Sequence, residues 1–282
     1  MGNRYFSQYL LNAGVLEISN IGHIMPKSTN AVPQLPILAV EKGLLSDEQI
    51  DELTGMEDLT KALRDKSILS DDQIKALQNE VPSRSARMAQ VVLDERLADL
   101  KTLNRCFRES GEEEVHPVVA AVKKIVSTYD DLNPVGEVYG EYAELFVGAL
   151  QRFMNTDAVV VTEPAEPVIE DSIIVSQSMG GALSLSAAIL SKSDVFLEMA
   201  ERYSDEAFPE VDEMAEDSLA EFMNVINGLY IVEQSVKAVD MDLDMPKIGR
   251  SACPMASSLV AVRIVTEFGS FVLYLAEDDF IY

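Results

Sequence analysis

The feature that most constrains this chain is a long amphipathic segment that begins near Asp212. An α-helix turns about 100° per residue, so Asp217, Glu221, Asn224 and Gly228 fall within about 60° of one another on its surface. The residues on the opposite side are apolar and form a face suited to a core. These are Leu219, Phe222, Met223, Ile226, Leu229 and Tyr230. The outer stripe offers acidic groups, a carboxamide and a glycine that leaves room for a partner to dock.

The same residues carry a recognisable spacing. Asp217-x3-Glu221-x2-Asn224, followed by 21 intervening residues and then Pro246, resembles the signature of the CheC/CheX/FliY chemotaxis phosphatases. A second Glu-x-x-Asn, at Glu17–Asn20, lacks both the aspartate and the proline at the matching positions. The resemblance covers about residues 135–280. It implies a hydrolase that removes the phosphoryl group from the aspartate of a CheY-like response regulator in two-component signalling.

The resemblance also implies a role for each residue. Asn224 would orient the attacking water, and Glu221 would pair with the active-site lysine of the receiver. Asp217, Gly228 and Pro246 would contact the partner. Mg²⁺ would arrive with the receiver, so we expect no metal ligands and no cofactor of the chain's own. The alternative is a non-catalytic adaptor or sensor that binds a phosphorylated receiver.

Composition narrows the partners. The chain has 282 residues, 48% of them apolar, and a formal net charge of −26. Such a charge argues against binding nucleic acid or an anionic membrane, and favours a partner with a basic face. Cys106 and Cys253 form no metal or redox spacing, which is typical of a reducing cytoplasm. An antiparallel sheet with open edges, and the dimers formed by CheX relatives, suggest a homodimer.

Residues 1–110 predict an all-helical repeat domain. Ala39–Ile50 and Ala62–Ile74 each contain Ser-Asp-acid-Gln, which is a helix capping box. Units this small must stack to bury their apolar faces. A third copy, lacking the cap, is expected to begin at Tyr5–Gly14, and a fourth is expected within Met88–Phe107.

This region resembles the helical N-terminal module of type II secretion ATPases, some of which bind a cyclic dinucleotide. Those binders begin with Arg-Leu-Gly, whereas this chain has Arg4-Tyr5-Phe6. Pro26 and Pro33 predict that residues 18–34 are irregular. A scaffold or protein-docking module and a nucleotide-reading module both remain open.

Residues 111–134 predict a linker with a short helix, Val118–Tyr129, before a break at Asp130–Pro134. Residues 135–282 predict an α+β domain in which two long helices pack on one face of an antiparallel sheet. The first long helix begins near Val138. It carries Glu144-x-x-Val147 where some family members have a second Glu-x-x-Asn, so the resemblance implies one active stripe.

The predicted strands are separated by short turns. They are Ala158–Thr162, Ser172–Ser176, Leu183–Leu190, Ala238–Pro246, Leu259–Thr266 and Ser270–Leu275. Pro246 should end the pairing of its strand. The uncharged run 172–191 holds too many serines to serve as a membrane anchor.

Two other patterns suggest chemistry. Ser178 lies in a sequence that resembles the nucleophile elbow of an α/β-hydrolase. Both histidines, His23 and His116, precede it in the chain, so we favour a hairpin turning at Gly180-Gly181. Asp240, Asp242 and Asp244 alternate as in a calcium loop, but the glycine and distal glutamate are missing. A solvated strand face is the better interpretation.

Overall fold

The computed structural model describes residues 5–56, 58–112, 114–129, 135–163 and 170–281. It contains two compact units, Met1–Pro117 and Val118–Tyr282. The short helix predicted within the linker spans Pro117–Val126, and nearly all of it lies in the second unit. Arg4 and the predicted break at Asp130–Pro134 lie outside the described residues.

The first unit is helical throughout its described part. Its helices occur in pairs separated by turns of a few residues. The helices are α1 Phe6–Asn12, α2 Ile18–Thr29, α3 Leu35–Glu41, α4 Asp47–Leu53, α5 Leu59–Asp65, α6 Asp71–Asn79, α7 Arg84–Asp94 and α8 Leu100–Glu109.

The turn within each pair has the same backbone geometry. Gly14, Gly43, Ser67 and Arg96 take positive φ values of 69°, 65°, 53° and 58° two residues after a helix ends. Capping boxes open α4 at Ser46/Gln49 and α6 at Ser70/Gln73, as predicted. The left-handed residue ends one helix and the cap begins the next.

Two predictions for this unit are wrong. The predicted irregular stretch 18–34 contains α2, which runs through Pro26. Burial of Ile21, Ile24 and Met25 offsets the hydrogen bond that the proline removes. The first pair was also expected to lack a cap, yet Glu17 and Asn20 form a capping box at the start of α2. The second Glu-x-x-Asn of the sequence therefore has a structural role.

The second unit is a mixed helix and antiparallel-sheet fold. In sheet order its strands run β1-β6-β7-β3-β2-β4, with β5 also paired to β2. The helices are α9 Pro117–Val126, α10 Gly136–Phe153, α11 Ser193–Ser204 and α12 Glu213–Val236. The strands are β1 Ala158–Val161, β2 Ser172–Gly181, β3 Leu185–Lys192, β4 Met241–Leu243, β5 Lys247–Arg250, β6 Val260–Thr266 and β7 Gly269–Ala276.

The two long helices, α10 and α12, share one face of the sheet. The Phe146 ring of α10 lies 5.9 Å from Phe222 of α12 and 6.0 Å from Phe271 of β7, between ring centroids. Side chains alternate along a strand, so the neighbours of Phe271 point to the other face, where Val272 and Tyr274 join a second cluster with Phe280. Both faces of the sheet are therefore covered.

Two strand predictions need correction. Ala238–Pro246 was expected to be one strand, but the chain forms β4 and β5 on either side of Asp244–Pro246, and both pair with β2. A proline has no N–H to donate, so Pro246 interrupts the pairing, which resumes at Lys247. The hairpin predicted at Gly180-Gly181 is present as β2–β3, although β2 continues to Gly181 and β3 begins at Leu185.

Among the residues that the structure describes, no helix is both long enough and apolar enough to cross a membrane.

Candidate functional site

The helix that carries the predicted site is α12. Its 24 residues begin after Asp212, whose side chain accepts a hydrogen bond of 2.9 Å from the amide of Ala215 and so caps the first turn. Glu213 and Glu216 add negative charge there, which the helix dipole favours. The predicted apolar face is buried except at Leu229, which is half-buried. This packing fixes which side of α12 is open.

The predicted stripe lies on the open side. Asp217 and Glu221 are exposed, and Asn224 is half-buried. A Cβ placed on Gly228 would meet nothing within 4 Å, so the helix surface at Gly228, one turn beyond Asn224, is open. The Asn224 Nδ2 atom lies 3.5 Å from Glu221 Oε2, which brings the two predicted catalytic side chains together.

Beneath the stripe lies a residue that the sequence did not single out. Gln177 of β2 is 2% exposed and donates through Nε2 to Asn224 Oδ1, at 3.0 Å. The same nitrogen donates to the main-chain oxygen of Asp244, at 2.7 Å. Its Oε1 accepts from Asn227 of α12, at 2.8 Å. Gln177 thus connects the helix to the chain segment that ends at Pro246.

Pro246 is half-buried between β4 and β5. Through Asp244, this segment shares Gln177 with Asn224. The proline of the predicted motif therefore lies in the same neighbourhood as the stripe, although the two are joined by a polar side chain from a third element.

The unit that carries the site is strongly acidic. Residues 118–282 contain 29 of the 48 acidic residues and only 9 of the 22 basic ones. One nearby cation, Arg250, donates to Glu216 Oε1 at 2.5 Å and to the main-chain oxygen of Val211 at 3.0 Å. Burial, and then the Glu221 carboxylate, raise the pKa of Tyr203, so this phenol stays neutral beside the stripe. The field around the site favours a positively charged partner surface.

The matching position on α10 has a different character. Val147 is buried, and Glu144 is half-buried with its pKa raised by burial first and then by Glu233 and Glu141. An apolar side chain stands where a second carboxamide would be required. The described residues therefore place one stripe of this kind, on α12.

The other suggested sites have structural roles. Ser178 lies within β2, opposite Ser186 of β3, and accepts a hydrogen bond of 2.9 Å from its hydroxyl. It is not at a strand-to-helix turn, so the nucleophile-elbow geometry is absent there. Asp240, Asp242 and Asp244 are all exposed. Among the described residues, no three His, Cys, Asp or Glu side chains are grouped as a metal site would require.

The first unit has a cavity of about 170 Å³. Its lining is mainly apolar, and Lys101 at its margin lies 2.5 Å from Asp51. Small-molecule sites usually begin near roughly 300 Å³. This cavity therefore gives the nucleotide-reading alternative no support.

Comparison with known proteins gives matches of structure only. A scan against models of known protein families found no match, and a search of curated proteins found none either. The neighbours among solved structures are CheX, CheC and FliY chemotaxis proteins, and they cover about half of this chain.

Three of these structures illustrate the range. CheX from Desulfovibrio desulfuricans is 11% identical, with 50% of this chain and 99% of that one covered and a TM-score of 0.43. CheX in the CheX–CheY–BeF3–Mg complex from Borrelia burgdorferi is 15% identical, with 48% and 94% covered and a TM-score of 0.41. FliY from Thermotoga maritima is 14% identical, with 46% and 80% covered and a TM-score of 0.35. The resemblance of the N-terminal region to secretion ATPases gains nothing from these comparisons and stays a prediction.

Proposed function

We propose that the second unit is a phosphatase that hydrolyses the aspartyl phosphate of a CheY-like receiver domain. One observation carries the proposal. The half-buried carboxamide of Asn224 lies on the open side of α12, fixed from below by Gln177 and flanked by the exposed Glu221. The motif Asp217-x3-Glu221-x2-Asn224 links this arrangement to receiver dephosphorylation.

Asn224 is suited to this reaction because a carboxamide can hold water without exchanging a proton with it. Hydrolysis of an aspartyl phosphate requires a water in line with the bond to the leaving oxygen, and such reactions are catalysed mainly by positioning and charge stabilisation. The outward Nδ2 donates to the water oxygen and leaves another lone pair of that oxygen to attack phosphorus. As the new bond from water to phosphorus forms, the bond from phosphorus to the aspartate oxygen breaks and the receiver aspartate is restored as a carboxylate. The two protons of the water leave with the inorganic phosphate. The receiver supplies Mg²⁺.

Docking is assigned to the rest of the stripe. Glu221 pairs with the receiver's active-site lysine, and Asp217 adds negative charge one turn earlier. Gly228 leaves room for the receiver to approach, and Pro246 shapes the surface that the receiver contacts. The acidic surroundings raise the rate of encounter with a basic receiver face. A homodimer, predicted from the sequence, is compatible with this scheme.

The test is the first-order loss of phosphate from a phosphorylated CheY-like receiver, measured with and without the full-length chain. We expect faster decay that saturates with protein concentration. Binding is measured in parallel by calorimetry with the beryllofluoride-activated receiver. Binding without faster decay would replace the phosphatase with the adaptor, and absence of both would remove the receiver as partner.

Glu221→Lys should weaken docking more than chemistry. A lysine opposite the receiver's lysine turns an attraction into a repulsion, and removing one partner of a charge pair in an interface costs about 2–5 kcal/mol. We therefore expect the receiver concentration at half-maximal rate to rise at least about 30-fold. Glu233→Lys, also exposed on α12 but three turns away, is the control. Equal effects of the two variants would show that only total charge matters.

A further inference from the structure

The segment that contains Pro246 forms a bulge in the sheet. Ser176 pairs with Lys247, and Met179 pairs with Leu243. Between these two pairs, β2 has two residues while the opposite segment has three, 244–246. One extra residue on one strand is a β-bulge, which bends the strand and leaves ladder groups unpaired. The ladder here is also broken because proline has no N–H.

The bulge changes the partners of Asp244. Its amide still donates to the main-chain oxygen of Ser178, at 3.0 Å. Its main-chain oxygen instead accepts from the side chain of Gln177, at 2.7 Å. The Gln177 side chain of β2 therefore replaces a main-chain donor at this point of the sheet. The same contact gives the buried Gln177 amide a hydrogen-bond partner.

This contact fixes the orientation of every amide that follows. A main-chain oxygen only accepts, so the Gln177 atom that faces Asp244 must be Nε2. That nitrogen also faces Asn224, so the atom opposite it must be Oδ1. Gln177 Oε1 then accepts from Asn227 Nδ2, and Asn227 Oδ1 accepts from the hydroxyl of Tyr142, at 2.6 Å. Each orientation determines the next.

The chain of hydrogen bonds is also held rigidly. Asn227 and Tyr142 are 0% exposed and Gln177 is 2% exposed. Tyr142 belongs to α10, Gln177 to β2 and Asn227 to α12, so three elements contribute. Rotating any of these amides by 180° would place two donors or two acceptors face to face in the interior, which is costly.

We propose that Gln177 is a positioning residue that gives the Asn224 carboxamide its direction. Because the Asp244 carbonyl can only accept, it holds Gln177 with Nε2 facing both Asp244 and Asn224. Asn224 therefore turns its Oδ1 inward and its N–H groups toward the open surface. Pro246 affects Asn224 indirectly, because the bulge that contains Pro246 leaves the Asp244 main-chain oxygen free to accept from the Gln177 side chain. The kinetic consequence rests on the proposed phosphatase function, whereas the orientation of Asn224 does not.

The first measurement needs no receiver. In a ¹⁵N-labelled full-length chain, Asn224→Asp identifies the side-chain NH₂ signals of Asn224 by their loss. Gln177→Met, which keeps a similar volume, should move those signals toward the positions of an unrestrained asparagine. Signals that stay in place in a folded Gln177→Met variant would overturn the proposal. Gln177→Glu, of the same shape but without N–H groups, serves if Gln177→Met fails to fold.

The second measurement separates positioning from docking. In receiver dephosphorylation, Gln177→Met should lower kcat about 10- to 100-fold while KM for the receiver stays constant, because misplacement of a reacting group has effects of this size. An unchanged kcat, or a change in KM alone, would overturn the positioning role. Gln234→Met is the matched control, since Gln234 is also a buried glutamine but lies on α12, about 15 Å beyond Asn224.

The two measurements also separate this proposal from the phosphatase. If the wild-type chain fails to accelerate dephosphorylation, the proposed function falls, and the NMR comparison still decides whether Gln177 orients Asn224. If the wild-type chain is active and Asn224 loses its orientation in Gln177→Met without loss of kcat, the positioning role falls and the phosphatase stands.

Discussion

Replacing Asn224 by alanine is expected to reduce the acceleration of receiver dephosphorylation by about 100-fold or more, with binding of the activated receiver unchanged. The side chain is half-buried, and its outward Nδ2 lies at the open surface beside Glu221. Losing one group that positions or stabilises the reacting atoms typically costs about 10²–10³ in rate. Stopped-flow decay of the phosphorylated receiver at saturating chain gives the rate, and calorimetry gives the affinity.

Asn224→Asp refines this experiment. An aspartate keeps the inward oxygen that accepts from Gln177 but loses the outward N–H groups, and it places a carboxylate beside Glu221. We expect a loss comparable to that of the alanine variant, because the donor is what holds the water. Near-normal activity of Asn224→Asp would contradict that role for the amide nitrogen.

The sequence supplies a matched control in its other Glu-x-x-Asn. Asn20 has the same spacing from Glu17, but its side chain accepts from the Glu17 amide at 3.1 Å and caps α2. Asn20→Ala should leave dephosphorylation unchanged and reduce stability by about 1 kcal/mol. Equal loss of activity in Asn20→Ala and Asn224→Ala would contradict the assignment of the site to α12.

Local patterns predicted the parts of this molecule that depend on neighbouring residues. The stripe on α12 follows from helical periodicity alone, and the structure places Glu221 and Asn224 side by side. The capping boxes at Ser46 and Ser70 likewise need only residues three apart. In each case the chain segment contains both partners of the interaction.

Prediction from the sequence failed for features that depend on residues distant in the chain. Pro26 argues for a break, but the burial of its neighbours outweighs this preference. The alternation of residues 238–246 suggests one strand and gives no sign of the extra residue in the bulge. Gln177 forms hydrogen bonds to Asn224 and Asp244, which lie 47 and 67 positions further along the chain, so no local pattern could identify it. Its one signal was an amide within an otherwise apolar or small-residue strand.

The packing under the site can be tested through Phe146. This side chain is 0% exposed and lies between Phe222, Phe271 and Tyr142, so it joins α10 to α12 and to the sheet. Phe146→Ala leaves a cavity among these rings, and such changes cost about 3–5 kcal/mol. For a unit of this size we expect the melting temperature to fall by roughly 10 °C. Calorimetry of the full-length chain measures the change.

Phe153 provides the comparison on the same helix. Phe153 is the last residue of α10 and is half-buried. Its ring centroid lies 6.5 Å from that of Tyr203 on α11. Phe153→Ala should cost about 1 kcal/mol, because less contact is lost and water can fill the space. Phe146 packs against Phe222, which is adjacent to Glu221 on α12, so Phe146→Ala should also lower dephosphorylation below the melting transition. Equal destabilisation by the two variants would show that the face between α10 and α12 is not the centre of this core.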